Sequence, residues 1–446
     1  MECRKKMSKK DILTFDGGIH PVSDGKALSC NAPITVAPLL DKYRVLLSEN
    51  VGKLPKPVVK AGDLVKKYQL IAEADGFVSA NLHSPTSGKV TGIVDVPGPM
   101  GTLIPAIEIE ADGQDEPCEP MPAIDWHRAD VKELLKRAAD AGLVGMGGAA
   151  FPTHVKLSPP PDKAIDTLIL NGAECEPYLT ADHRLMLEQP ERVLEGAAIS
   201  AKILNVKNVY IGVEANKIDA IEALGRRAAE FGIKVATLKV QYPQGSEKQL
   251  IMAITGRKVP TGGLPMDAGC VVQNVGTAAA MTDAVCRGIP LVERVTTITG
   301  EVVKNPGNWL LKIGTPVIKA IEFAGGVTAE PGKLILGGPM MGFAQKSFEV
   351  PVAKNTSGIL LLPVELSMNY GSTGCIRCGR CVEGCPMNLI PCQLGNAVEA
   401  ERFDLAAQNH VMDCLECGSC AYVCPAHRPL VQHMRRAKAE IRKRKK

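Results

Sequence analysis

The sequence predicts a multidomain chain of α+β and α/β parts that ends in a cysteine-rich helical segment. Three observations carry that expectation. The 446 residues leave room for about three domains, and 45% hydrophobic with 22% charged residues is a globular balance. Strand and helix patterns alternate through the middle of the chain, as they do over a parallel sheet. Nine of the fifteen cysteines fall between Cys375 and Cys424. In a reducing compartment such density signals metal or redox chemistry.

Residues 1–112 read as β structure. Short apolar runs at 34–40 and 69–72 are punctuated by Gly, Pro, Asp and Asn. Lys60, Gly62, Asp63 and Val65, then Ser84, Pro85, Gly88 and Val90, form a pattern that resembles the barrel-sandwich fold of biotinyl and lipoyl domains. Those domains carry a modified lysine at a hairpin tip. The corresponding tip, residues 73–78, has no lysine, so a scaffold is expected and not a swinging arm. The Pro- and acid-rich stretch 113–122 reads as a linker. Residues 124–289 follow as an α/β domain, with helix 130–141, strand 164–170, one long helix 185–204, strand 208–213, helix 217–231 and strand 234–240. Residues 290–345 are β-rich around a helix at 315–324 and suit a small β-grasp module. Residues 365–432 hold the cysteines, with helices expected over 389–412, where Ala, Leu, Glu and Gln dominate.

The net charge of +4 is unevenly placed. Residues 435–446 carry eight basic groups and one acid, so the tail holds +7 and the remainder −3. The body is therefore not expected to bind nucleic acid. Aromatic residues, at 4%, are also too few for single-strand stacking platforms. The tail, 433–446, reads either as a solvated end or as a patch drawn to an anionic membrane surface or an acidic partner. No apolar run reaches the roughly 18 residues of a spanning helix. The basic stretch 1–10 has no apolar segment behind it, so an intracellular chain is expected.

Cys375, Cys378, Cys381 and Cys385 recur 39 positions later as Cys414, Cys417, Cys420 and Cys424, each run reading C-x2-C-x2-C-x3-C-P. This is the run of two-cluster bacterial ferredoxins. Two-residue gaps let three thiolates converge on one cubane, and the proline turns the chain away after the fourth. In such pairs the fourth cysteine serves the other cluster. That implies Cys375, Cys378, Cys381 and Cys424 for one [4Fe-4S] cluster, and Cys385, Cys414, Cys417 and Cys420 for the second. Two zinc sites are the alternative, although zinc usually takes two separated C-x2-C pairs. Cys392, between the runs, reads as a small buried hydrophobe. His427, just after the second run, reads as an ordinary satisfied or exposed histidine, with tuning of a cluster by a hydrogen bond as the alternative.

A second signal is the glycine-rich stretch Gly142, Gly145, Gly147, Gly148, Phe151, Pro152 and Lys156. Glycines let backbone approach a ligand, and successive amides cradle phosphate. The stretch follows a helix, so it is not the strand-to-helix dinucleotide fingerprint. A structural turn is the alternative if nothing else matches. Further on stand Asn171, Glu174, Cys175 and Glu176 after a strand, then Tyr242, Gly245, Ser246 and Glu247, then Asn274 opening a helix. Polar residues at strand ends and helix N-termini are where α/β proteins place anionic ligands.

Together these stretches resemble the FMN- and NADH-binding flavoprotein subunit of respiratory complex I. The resemblance implies that Lys156, Asn171, Gly245, Glu247 and Asn274 contact FMN, with Phe151 and Tyr242 beside them. It implies that Gly145, Gly147 and Gly148 line the flavin and nicotinamide cleft, and that Glu174 and Glu176 lie on the nicotinamide-nucleotide side. Ser246 and the pair Gly172–Ala173 depart from the acids usual there. With the opening Phe15-Asp16-Gly17-Gly18-Ile19-His20-Pro21, the domain order from about 15 to 435 is similar to the RnfC family of Rnf electron-transport complexes. That similarity implies an N-terminal barrel-sandwich, a Rossmann-like FMN/NADH domain, an SLBB-like β-grasp module and an α-helical ferredoxin-like domain. It further implies two [4Fe-4S] clusters, FMN, NADH or NAD+ as substrate, membrane subunits as partners, ferredoxin or a similar carrier at the far end, and a peripheral place on the cytoplasmic face of the bacterial inner membrane. Two other roles stay open: a flavin-less iron–sulfur carrier and docking subunit, and the arm of a reductase that keeps an iron–sulfur regulator reduced.

Overall fold

The parallel sheet expected in the middle of the chain is present in the computed structural model, which describes residues 12–367 and 371–444. The basic stretch 1–10 and the last two lysines of the tail lie outside the described residues. Strands Ile233–Leu238, Asn208–Glu214, Thr167–Gly172 and Cys270–Asn274 lie side by side in that order, all parallel. Strands of a parallel sheet are covered on both faces, which is why Leu168, Ile169 and Leu170 run without polar breaks. Helices Val131–Asp140, Pro190–Leu204 and Val275–Cys286 cover one face through Leu134, Val193, Ala197 and Ala278. Helix Glu247–Thr255 covers the other through Leu250 and Ile251. The winding reverses between Thr167–Gly172 and Cys270–Asn274, and open α/β sheets bind ligands at such a reversal. Asn171 and Asn274 are register partners at its carboxyl end.

Several expected elements are corrected. The single helix 185–204 is two, Ala181–Glu188 and Pro190–Leu204. Pro190 sits in the first turn of the second and excludes helical backbone at Gln189, whose ψ is 49°. The helix over 217–231 stops at Gly225 and resumes as a 3-10 turn, Ala228–Phe231, because glycine holds a helix poorly. The β-grasp sheet reaches beyond 345. Gly358–Pro363 lies inside it, parallel to Glu293–Thr299 and antiparallel to Pro331–Leu336. Ile34–Val36, from the N-terminal part, forms its outer edge beside Gly307–Lys312.

The N-terminal β part is two small sheets facing each other over Val45, Ile71, Leu82, Val90, Ile107 and Ile109. Its hairpin tip rests on the α/β part. Lys354 joins three parts at a buried point: Nζ donates to Asn81 O at 2.9 Å and Gly142 O at 2.8 Å, and its amide donates to Glu49 Oε2 at 2.6 Å.

In the cysteine-rich part the 39-residue repeat holds in backbone as well as in sequence. Helices Arg380–Glu383 and Ser419–Tyr422 occupy equivalent places. Left-handed residues recur in pairs: Arg377 and Glu416, Gly379 and Gly418, Asn388 and His427. The basic end is no solvated tail over its described residues. It is the helix Leu430–Arg444, which buries Leu430, Met434, Ala437 and Ile441 against the cysteine-rich part. The apolar positions fall three or four apart, a period that the charge run obscures in the sequence.

Candidate functional site

The glycine loop reaches the carboxyl end of the sheet and is held rigidly there. Gly145 N–H donates to Phe151 O at 2.9 Å, and Met146 N–H to Thr277 Oγ1 at 2.9 Å. Arg294 Nη1 donates to Met146 O at 3.0 Å, and Asn355 Nδ2 to Gly148 O at 3.0 Å. The amides of Gly147, Gly148 and Ala149 donate to no acceptor among the described residues, and all three residues are exposed. A Cβ on Gly147 would stand 2.7 Å from Asn274 Nδ2, and one on Gly245 would stand 3.3 Å from Asn171 Oδ1. Bare backbone therefore faces both register-paired asparagines.

The side chains around this cleft are positioned by one another. Asn171 Nδ2 donates to Gly245 O at 2.8 Å. Asn274 caps the helix Val275–Cys286 by accepting from Gly276 N–H at 2.8 Å, and its Nδ2 donates to Asp182 Oδ2 at 2.7 Å. Lys156 Nζ pairs with Glu247 at 2.8 Å and donates to Val272 O at 2.9 Å. Free amides, a lysine, a helix N-terminus and flanking amide side chains suit a flat, anionic cofactor such as FMN.

Glu174 and Glu176 lie on the loop that follows strand Thr167–Gly172. Both carboxylates already serve the chain's own amides. Glu174 accepts from Asp182 N–H at 2.8 Å and His183 N–H at 3.2 Å, satisfying the start of helix Ala181–Glu188. Glu176 accepts from Met340 N–H at 3.1 Å and Met341 N–H at 2.9 Å, fastening a loop of the β-grasp module. Two buried lysines, which no local sequence signal marks, pin the loop that carries them. Lys26 Nζ donates to Glu174 O and Glu176 O, both at 2.9 Å, and Lys217 Nζ to Ala173 O at 2.7 Å.

Burial pushes the Glu176 carboxyl up to about 7, and burial together with the Glu174 charge raises Asp182 likewise. Each folded-state value lies above its unfolded one, so the folded chain binds more protons between the usual carboxylate range and about pH 7. Their stabilising contribution is complete below the usual carboxylate range and declines as pH rises through about 7. The urea midpoint is expected to fall between pH 5.5 and pH 8, and Asp182→Asn to flatten that dependence; an unchanged slope in Asp182→Asn would remove Asp182 from this account.

The cysteines separate into two quartets, interlaced between the runs. Cys385, Cys414, Cys417 and Cys420 line one cavity. Cys375, Cys378, Cys381 and Cys424 line another. Among the described residues, no three His, Cys, Asp or Glu side chains converge closely enough for a single metal ion. Quartets interlaced between two C-x2-C-x2-C-x3-C-P runs fit [4Fe-4S] clusters better than zinc, which usually takes two separated C-x2-C pairs. Burial pushes the thiols of Cys381 and Cys414 up to about 11, so metal binding there displaces protons. Cys392 lines the second cavity as a fifth thiol and is only partly buried. His427 is exposed, whereas the next residue, Arg428, is buried and lines that cavity. Lys438 donates to Cys414 O at 2.6 Å beside the first.

The two quartets differ in surroundings. Tyr242, 1% exposed, donates its hydroxyl to Cys417 O at 2.7 Å. The quartet containing Cys417 thus packs on the segment 242–247 that carries Gly245 and Glu247, and three of its four cysteines are buried. In the other, Cys378 is exposed.

Fold and site define an electron-transfer protein that joins a flavin-type α/β domain to a two-cluster domain. Family models match in the same order: RnfC barrel sandwich hybrid domain over 13–114, Nuo51 FMN-binding domain over 138–283, SLBB domain over 295–344 and 4Fe-4S dicluster domain over 367–441. The chain belongs to the RnfC family, whose members are subunits of ion-translocating oxidoreductase complexes. It is 51% identical to the RnfC-type subunit of the proton-translocating ferredoxin:NAD(+) oxidoreductase complex of Clostridium ljungdahlii, covering 97% of this chain and 94% of that one. It is 45% identical to the corresponding subunit of the Na(+)-translocating ferredoxin:NAD(+) oxidoreductase complex of Acetobacterium woodii, over 96% and 97%. The corresponding subunit of the Rhodobacter capsulatus ion-translocating oxidoreductase complex is 44% identical, over 97% and 84%. In fold alone the chain resembles a chain of the NAD+-reducing [NiFe]-hydrogenase in the H2-reduced state, with a TM-score of 0.51, 20% identity and coverage of 70% and 65%. Among the described residues, no helix is long and apolar enough to cross a membrane.

Proposed function

We propose that this chain is the peripheral, NADH-oxidising and electron-transferring subunit of an ion-translocating ferredoxin:NAD+ oxidoreductase. It works on the cytoplasmic face of the bacterial cell membrane. Its partners are the membrane subunits of the complex, with ferredoxin or a similar carrier at the far end. When bound, FMN converts the electron pair of a hydride into single electrons, and iron–sulfur clusters carry electrons singly. The chain's own residues bind and orient. Gly145, Gly147 and Gly148 leave the cleft free of side chains. Lys156, Asn171, Gly245, Glu247 and Asn274 hold the flavin, with Phe151 and Tyr242 at its border. The two cysteine quartets hold two clusters, one against the cleft and one facing outward to a partner.

The Tyr242 contact carries this reading, because its buried side chain, three residues before Gly245, touches the backbone of a cluster quartet. The test is anaerobic purification with iron, sulfide and flavin assays, followed by the spectrum on adding NADH. About eight irons, one FMN and bleaching by NADH are expected. Iron without flavin, even after reconstitution, would favour a carrier and docking role instead. Zinc in place of iron would overturn the reading.

A further inference from the structure

The hairpin tip of the N-terminal sandwich presents an aromatic ring where the function above gives it no task. Phe77 is 64% exposed, more than any other aromatic residue among those described. The chain has only eight phenylalanines, seven tyrosines and two tryptophans, so leaving one in water stands out. The ring is not loose. The tip is tied by Asp75 N–H to Ser79 Oγ at 3.1 Å and Lys53 N–H to Val78 O at 2.9 Å.

The tip is also fixed to the glycine loop. Val51 N–H donates to Ala150 O at 3.2 Å. His154, on the helix that follows the loop, places Nε2 2.9 Å from Phe77 O, and its ring meets the Phe77 ring edge-on with centroids 5.8 Å apart. Two exposed cations stand at the same tip. Lys53 and Lys56 are 66% and 73% exposed and both reach Asp75, at 2.6 and 3.2 Å. Asp75 is shared by the two lysines and the exposed Glu73 is the register partner of Lys56, so both cations are held at the tip by acids that a diphosphate can replace.

We infer that this tip binds the adenosine diphosphate half of the dinucleotide. The adenine stacks on Phe77, and the diphosphate draws Lys53 and Lys56 away from Asp75. The inference rests on the reading of the glycine cleft as the nicotinamide end of an NADH site. An exposed aromatic beside two lysines matches a purine followed by two phosphates, and it adjoins the glycine-rich stretch at Ala150 and His154. It also gives the lysine-free tip a purpose: it is a fixed wall of the cleft.

The test uses the full chain loaded with FMN and clusters. Binding of ADP-ribose, which lacks the nicotinamide, is measured by calorimetry in the unmodified protein, Phe77→Ala, Phe77→Tyr and Lys53→Ala. Flavin bleaching by reduced nicotinamide mononucleotide, which lacks the adenosine half, is followed alongside. Phe77→Ala is expected to weaken ADP-ribose by about tenfold and to leave the mononucleotide reaction unchanged. Phe77→Tyr restores binding, and Lys53→Ala weakens it most at low salt. Equal ADP-ribose affinity in Phe77→Ala, or an equal loss of both reactions, would overturn the inference. So would an unmodified protein that NADH bleaches but that ignores ADP-ribose. A flavin that NADH does not bleach at all would instead overturn the functional reading.

Discussion

Cys424→Ser is expected to remove the outer cluster and leave the inner one, although Cys424 belongs to the second run. Iron falls from about eight to about four per chain. The cavity that Cys424 lines contains Cys375, Cys378 and Cys381 of the first run, and none of Cys414, Cys417 or Cys420. Cys385→Ser has the converse effect, because Cys385 lines the cavity of the second run. The two variants separate further on adding NADH. In Cys424→Ser the remaining quartet is the one touched by Tyr242, and its cluster still bleaches. In Cys385→Ser the remaining quartet is the exposed one, and its bleaching by NADH becomes slow while dithionite still reduces it. Electron paramagnetic resonance of each reduced variant identifies which signal survives. If Cys424→Ser lost the signal that Cys414→Ser loses, each run would hold its own cluster and the interlaced assignment would be wrong.

Much of this arrangement is legible in the sequence, for reasons that differ from part to part. The cysteine runs are local and spacing-bound, so the chemistry of both sites can be read from the eight positions alone. The parallel sheet is legible because its strands are apolar throughout, and Asn171 and Asn274 stand out as polar residues at their ends. Partnerships set across long separations are not legible. Gly358–Pro363 reads as an isolated apolar run until Glu293–Thr299 and Pro331–Leu336 are seen on either side of it. Glu174 and Glu176 have the residue type of a nucleotide site. Only the packing shows that amides of Asp182, His183, Met340 and Met341 claim them. Lys26 lies about 150 residues from the carbonyls that it gathers, and no local pattern marks it. The basic tail hides its helix for a related reason: its few apolar residues have somewhere to pack only once the cysteine-rich part has folded.

Gly18→Ala is expected to leave flavin reduction by NADH unchanged while slowing reduction of the clusters. The opening motif is threaded between the two halves of the electron path. Ile19 pairs with Tyr242 through bonds of 2.8 and 2.9 Å, and Gln241 Nε2 donates to Gly17 O. Gly18 has φ +77°, and a Cβ there would stand 2.6 Å from Tyr242 O. Gly17 has φ +83°, and a Cβ there would stand 2.8 Å from Cys385 O. One glycine is thus pressed on the cleft side and its neighbour on the cluster side, so any added atom opens the joint. Left-handed backbone alone costs an alanine about 1–2 kcal/mol, and opening the joint relieves both that strain and the clash. A shift of this size lowers the closed-to-open ratio roughly tenfold. Electron tunnelling falls exponentially with the gap, so cluster bleaching slows first. Stopped-flow traces that separate flavin from iron–sulfur bleaching measure both rates in one experiment. Gly113→Ala is the control, since Gly113 has φ +76° but a Cβ there meets nothing within 4 Å. An equal fall in both rates for Gly18→Ala would reduce the motif to general support of the fold. No change in either would show that the joint tolerates the added methyl and that the motif sets no distance.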